Sequence, residues 1–148
     1  MKKYVLDLEV RSVERINEKY SLLRLTHEES LPEMEPGQFV EVRVDGSQST
    51  FLRRPISINF VDREANELWL LVAAIGDGTR HIVSVKQGDT LNCVLPLGRG
   101  FTMPQKSSDK VLLVGGGVGV APLLYMGAEM KRHGIEPTFL LGARKAAD

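Results

Sequence analysis

The chain of 148 residues contains a single cysteine, Cys93, and has no excess of charge of either sign. One thiol cannot form an internal disulfide, and it cannot assemble a thiolate metal site by itself. The 19 basic and 19 acidic residues cancel, so nothing in the charge balance favours nucleic acid or an anionic membrane as a partner. We therefore expect no metal site in this chain, no nucleic-acid partner and no membrane partner.

Long hydrophobic runs are also missing. No apolar run approaches the ~18–20 residues that a membrane-spanning helix needs, and the N-terminus alternates charged with apolar residues where a signal peptide needs an apolar core. These patterns predict a cytoplasmic location. The sequence likewise shows no Cys–His pair, no triad spacing and no carboxylate dyad, so hydrolytic catalysis has no support. Cys93, within "DTLNCVLPL", is interpreted as a small buried hydrophobe in a strand.

Alternation of apolar and polar residues dominates the first hundred positions. Leu6, Leu8 and Val10 alternate with charged residues, and "FVEVRVD" and "ELWLLVAAI" show related strand patterns. Six such strands separated by short turns predict an antiparallel barrel or sandwich over residues 1–103. One short helix, predicted over Thr79–Val85, interrupts them.

The pattern changes after the polar stretch 103–109. A strand "KVLLVG", a helix "GVAPLLYMGAEMKRHG" and a strand "EPTFLLGA" form one βαβ unit. The helix is expected to end at Gly134, a suitable C′ glycine. Residues 104–148 are therefore predicted to begin an α/β domain.

The turn between that strand and that helix is rich in glycine. Glycines let a backbone approach an anion without a Cβ clash, and a helix N-terminus favours phosphate. The pattern is G-x-G-x-x-P, which differs from the G-x-G-x-x-G of dinucleotide-binding units. Nucleotide phosphate binding and a tight packing turn both remain open for these positions. They are Gly115, Gly116, Gly117, Gly119 and Pro122.

Two further motifs carry candidate binding groups. In "FLRRPISINF" a guanidinium could bind phosphate bidentately, although a surface basic pair before an edge strand explains it equally well. In "GDGTRHI" the helix start offers free N–H groups and the hydroxyl of Thr79, which could instead be only a cap. His81 is interpreted as a helix-surface residue and not as a base.

Taken in order with "LPLGRGF", these motifs resemble those of the ferredoxin–NADP reductase superfamily. The variants "RRPISI", "GDGTRHI" and "LGARKAAD" are similar to the electron-transfer subunits of two-subunit bacterial dihydroorotate dehydrogenases, over nearly the whole chain. The resemblance implies an antiparallel six-stranded Greek-key β-barrel that binds FAD, followed by an incomplete βαβ nucleotide-binding domain that binds NAD. The related sulfide dehydrogenases and NADH-dependent ferredoxin:NADP oxidoreductases stay as the alternative family.

The resemblance also implies residue roles. Arg54 would pair with the FAD pyrophosphate, and Ser57 would lie at the reactive edge of the flavin as the catalytic residue. Gly78 and Thr79 would bind the pyrophosphate, and the glycine turn would bind the nicotinamide nucleotide. The remaining residues expected to contact the flavin are Pro55, Ile56, Leu71, Val72 and Ala73.

The function implied is electron transfer from NADH through FAD and a [2Fe–2S] cluster to the catalytic subunit of dihydroorotate dehydrogenase, in a heterotetramer of pyrimidine biosynthesis. Four cluster thiolates cannot come from one cysteine, so the chain is expected to be an N-terminal fragment, inactive alone, with the cluster confined to full-length members. Two other classes stay open: a redox-inactive nucleotide-binding module and a plain β-barrel interaction domain. NADH and NADPH both stay open as the nucleotide.

Overall fold

The computed structural model describes residues 2–145 and contains two β-sheets. The strands and helices lie close to where the alternation of apolar and polar residues and the positions of the glycines predict them. In chain order they are β1 (Tyr4–Arg15), β2 (Tyr20–Thr26), β3 (Phe39–Val42), β4 (Arg54–Asp62), β5 (Glu67–Ala73), α1 (Asp77–Val83), β6 (Thr90–Leu97), β7 (Leu112–Gly116), a 3₁₀ turn (Gly117–Val120), α2 (Leu123–Arg132) and β8 (Thr138–Gly142).

The first six strands close into an antiparallel barrel in the order β1-β2-β5-β4-β3-β6. The prediction of a six-stranded barrel is confirmed. The period-two positions face inward as expected: Leu8, Val10 and Val40 are fully buried in one core. Cys93 is also fully buried there, and burial raises the pKa of its thiol to about 12, as befits an inert core residue.

Strands β7 and β8 pair in parallel, with α2 between them in the chain, which confirms the predicted βαβ unit. This unit is fastened to the barrel by hydrogen bonds. The Asn59 side chain donates to the Ala121 carbonyl at 2.7 Å, and the Tyr125 hydroxyl donates to the Met34 carbonyl at 2.9 Å. The first contact places the end of the glycine-rich turn against β4, and the second joins α2 to the segment before β3.

Two predicted helix boundaries are wrong. The first helix covers Asp77–Val83, two residues earlier than predicted, because Thr79 is its third residue and not its first. The second begins at Leu123, with Pro122 as N-cap, after a 3₁₀ turn. Glycine costs about 1 kcal/mol relative to alanine inside a helix, so the glycine-rich segment forms the shorter 3₁₀ turn. Gly134, at φ +75°, follows the helix as predicted.

Two absences hold for residues 2–145. None of the helices there is both long enough and apolar enough to cross a membrane. No group of three or more His, Cys, Asp or Glu side chains in the same residues is placed to hold a metal ion.

Candidate functional site

Arg54 and Gly78 lie in direct contact where β4 begins and α1 begins. A Cβ added to Gly78 would lie 2.9 Å from Cδ of Arg54 and 3.0 Å from Cγ2 of Thr50. The missing side chain of Gly78 is therefore what allows the stem of Arg54 to pack on the helix start. Among residues 2–145 no group forms a hydrogen bond or ion pair with the Arg54 guanidinium, so its five N–H donors are available to an anion.

The neighbouring Arg53 has a different environment. Its Nη1 donates to the Asn92 carbonyl at 2.9 Å, and its other amino group donates to the Asn92 side chain. Asn92 in turn donates to the Asp7 carboxylate at 2.6 Å. Arg53 therefore links the start of β4 to β6 and β1. It has a structural role, whereas the guanidinium of Arg54 is available to a ligand.

A carboxylate that sequence reasoning missed fastens the loop before β4 to α1. Asp77 accepts hydrogen bonds from the hydroxyls of Ser47 at 2.6 Å, Ser49 at 2.9 Å and Thr50 at 2.9 Å. The hydrogen bonds from Ser47, Thr50 and Ser49, in that order, lower the pKa of Asp77 to about 2. The three hydroxyls therefore keep the carboxylate ionised at this helix start. A phosphate bound here needs a cation such as the Arg54 guanidinium beside it.

Thr79 closes the same helix end. Its Oγ1 accepts from the Gly76 N–H and donates to the Gly76 carbonyl, both at 3.1 Å. The hydroxyl is thus engaged as a cap, the second of the two readings left open by the sequence. The sequence predicts His81 to be a helix-surface residue, and it lies on the surface of α1. Its Nδ1 is 3.0 Å from the Asp77 carbonyl oxygen.

The residues expected to contact a flavin divide between the two faces of β4 and β5. Ile56 and Val72 point into the barrel core, so only their backbone can contact a ligand. Ser57 is half-buried on the outer face, and the antiparallel register that pairs Ile58 with Leu70 places Ser57 beside Leu71. Pro55 is exposed and Ala73 is buried, 7% accessible.

A pocket of about 210 Å³ lies between the outer face of β5 and the βαβ unit. Tyr20, which sequence reasoning did not single out, forms part of its wall, and its hydroxyl is buried without a hydrogen-bond partner among residues 2–145. The hydroxyl lies 3.8 Å from where a Cβ of Gly117 would be. The lining residues are Ile16, Tyr20, Leu71, Gly117, Val120, Leu141, Gly142 and Ala143.

The glycines of the turn after β7 have unequal surroundings. A Cβ on Gly115 would lie 2.7 Å from Cδ1 of Leu123, so this glycine is required for packing of the turn on α2. A Cβ on Gly119 would meet no atom within 4 Å, and one on Gly116 only the Gly142 carbonyl oxygen at 3.9 Å. Packing therefore explains the glycine at position 115, whereas the backbone at Gly119 is open to an approaching ligand.

Comparison with known proteins gives consistent names. No protein-family model matches the chain. It is 42% identical over 115 residues to the dihydroorotate dehydrogenase B (NAD(+)) electron transfer subunit of Shouchella clausii, covering 77% of this chain and 44% of that protein. It is 45% identical over 109 residues to the same subunit of Desulforamulus reducens, covering 74% of this chain and 41% of that one.

A solved structure of an NADH-dependent reduced ferredoxin–NADP oxidoreductase, described in connection with flavin-based electron bifurcation, superposes with a TM-score of 0.82. Sequence identity there is 30%, over 95% of this chain and 49% of that one. The chain thus spans less than half the length of the curated relatives that it matches and about half of the solved structure.

Proposed function

Because the chain belongs to the family of the dihydroorotate dehydrogenase B electron transfer subunits, we propose that it binds FAD on its barrel and serves electron transfer in such an enzyme. The observation that carries the proposal is the available guanidinium of Arg54, packed on Gly78 at the start of α1. A planar guanidinium binds a diphosphate bidentately, which an ammonium group cannot do. The residues present therefore fit the phosphate end of FAD.

Each remaining residue has a role on the same surface. We expect the backbone N–H groups of Gly78 and Thr79, at the start of α1, to add hydrogen bonds to the diphosphate. The Ser57 hydroxyl, on the outer face of β4, is proposed to hydrogen-bond the reactive edge of the ring, and Leu71 beside it is the apolar wall that excludes water. When bound, the flavin supplies hydride and single-electron transfer, while the protein supplies position and electrostatics.

The donor is proposed to be NADH, held by the turn from Gly115 to Pro122. This turn follows the carboxyl end of β7, and in open α/β sheets ligands bind in the crevice at that edge. The open backbone at Gly119 supports the assignment. We propose that the two sites together serve an oxidoreductase that takes electrons from NADH.

Electrons are proposed to leave to the catalytic subunit of a cytoplasmic dihydroorotate dehydrogenase, in a heterotetramer of pyrimidine biosynthesis. A [2Fe–2S] cluster takes four thiolates, and Cys93 is fully buried in the barrel. No residue of this chain is therefore assigned to a cluster. A ferredoxin–NADP oxidoreductase subunit is the second candidate, favoured by the TM-score of 0.82 but at the lower identity of 30%.

The proposal is tested by mixing the purified chain with FAD, removing free ligand by gel filtration and recording the visible spectrum. We expect flavin absorbance in the protein peak at about one flavin per chain. A colourless protein peak at saturating FAD would contradict the proposal and favour the alternative of a plain β-barrel interaction domain.

A further inference from the structure

The buried hydroxyl of Tyr20 has no hydrogen-bond partner among residues 2–145, which calls for an explanation. The residue is 5% accessible, and its Oη forms no hydrogen bond with any group of residues 2–145. Buried polar side-chain atoms are partnered in the large majority of cases, because an unpaired one loses its water without replacement. A phenylalanine would fill the same space without that loss, so the hydroxyl is costly to the fold alone.

The position of this hydroxyl is well defined by its own neighbours. The Tyr20 N–H donates to Oδ1 of Asn17 at 2.8 Å, and its carbonyl accepts from the Ile16 N–H at 3.0 Å. The ammonium group of Lys19 lies 4.8 Å from the centre of the Tyr20 ring, a cation–π contact. Backbone and ring are both held, so the hydroxyl is oriented before any ligand arrives.

The pocket wall opposite Tyr20 comes from the edge of the parallel sheet at which dinucleotides bind. Gly117 and Val120 follow β7, Leu141 and Gly142 end β8, and Ala143 follows it, so the carboxyl ends of both strands contribute. At about 210 Å³ the pocket is smaller than the ~300–1,000 Å³ typical for whole drug-sized ligands. It therefore suits one substituted ring and not an entire dinucleotide.

We propose that Tyr20 is a positioning residue for the nicotinamide ring of a pyridine dinucleotide, whose carboxamide it hydrogen-bonds in this pocket. This inference rests on the proposed function. A tyrosine hydroxyl both donates and accepts, as does a carboxamide, and the apolar side chain of Val120 suits the face of a ring. A flavin ring carries similar amide groups, but the sheet-edge wall of the pocket favours the dinucleotide.

The test compares NADH with ADP-ribose, which lacks only the nicotinamide, by anaerobic calorimetric titration of the FAD-loaded chain. The flavin is first reduced chemically, so that the heat reports binding and not hydride transfer. Tyr20→Phe should weaken NADH binding roughly three- to tenfold, the effect of one neutral hydrogen bond, and leave ADP-ribose binding unchanged. The FAD affinity should not change. The melting temperature without NADH should not fall, because the variant removes an unpaired buried hydroxyl.

Tyr4→Phe is the matched control, since Tyr4 also lies beneath a lysine, with Lys2 Nζ 5.0 Å from its ring centre, but is outside the pocket. It should leave both affinities unchanged. Unchanged NADH binding in Tyr20→Phe, or equal losses for NADH and ADP-ribose, would overturn the inference while the proposed function stands. Weaker FAD binding without weaker NADH binding would assign the pocket to the flavin and overturn it too. If the unaltered chain binds neither NADH nor ADP-ribose, the proposed NADH site fails and the inference fails with it.

Discussion

Two adjacent arginines are expected to have separable effects because their partners differ. Arg54→Ala removes a guanidinium with no partner in residues 2–145, so it should lower FAD affinity by about 2–4 kcal/mol, roughly 30- to 1000-fold, with little change in the free energy of unfolding. Arg53→Ala breaks the contacts to Asn92 and should mainly lower the free energy of unfolding. FAD titration and urea unfolding of both variants measure the two effects. The same loss of FAD affinity in both variants would contradict the assignment of the phosphate contact to Arg54 and not to Arg53.

The carboxyl group of Asp77 is expected to make the free energy of unfolding depend on pH. Its pKa is lowered from 3.8 to about 2, so folding favours the ionised form. A group with a depressed folded pKa contributes stability above its unfolded pKa and loses it as the pH falls through the folded value. The free energy of unfolding of the native chain should therefore exceed that of Asp77→Asn at pH 5, and the difference should shrink as the pH falls from about 4 to 2.

Urea unfolding at a series of pH values measures this difference. Asp109→Asn is the control, since among residues 2–145 the Asp109 side chain accepts only the Lys106 N–H, at 3.2 Å. A constant difference between the native chain and Asp77→Asn down to pH 2 would show that the three hydroxyls do not stabilise the ionised carboxylate.

At the scale of elements, the packing of β4 on α1 depends on Gly78. In Gly78→Ala the new Cβ would lie 2.9 Å from Arg54 Cδ, so the arginine has to move, at a cost of about 1–3 kcal/mol in stability. FAD affinity should fall as well, because the guanidinium moves with its stem. Gly76→Ala, whose Cβ would meet nothing nearer than Thr79 Oγ1 at 4.0 Å, is the control. Equal FAD affinity in the two variants would contradict the assigned contact.

Elements with strong local patterns could be predicted from the sequence, whereas groups defined by distant partners could not. Alternation predicted the strands, since strand burial has period two. The dipeptide of Arg53 and Arg54 contains no sign that Asn92, 39 residues away, occupies the first of them. The unpartnered hydroxyl of Tyr20 depends on a pocket that joins β2 and β5 to the ends of β7 and β8. Asp77 was missed because its three hydroxyl donors lie in a loop 27 to 30 residues earlier.

At the scale of the whole molecule, the parallel sheet exposes an apolar face. Val114 and Leu140 pair across β7 and β8 and are 62% and 58% accessible. Adjacent exposed apolar side chains on a sheet with unpaired edges favour association. Light scattering should show a mean mass that rises with concentration, and Val114→Lys combined with Leu140→Glu should abolish the rise. Val5→Lys, on an exposed barrel residue, is the control. A native chain that stays monomeric at all concentrations would contradict this expectation.

The central claim is that Arg54 and the start of α1 hold the diphosphate of FAD, and calorimetric titration with FAD and with riboflavin tests it most directly. Riboflavin has the same ring but lacks both the diphosphate and the adenosine of FAD. The part of the affinity difference that Arg54→Ala removes therefore measures the phosphate contacts of Arg54. The native chain should bind FAD roughly 30- to 1000-fold more tightly than riboflavin, and Arg54→Ala should remove most of that ratio. Equal affinities for FAD and riboflavin in the native chain, or a ratio that survives Arg54→Ala, would contradict the account.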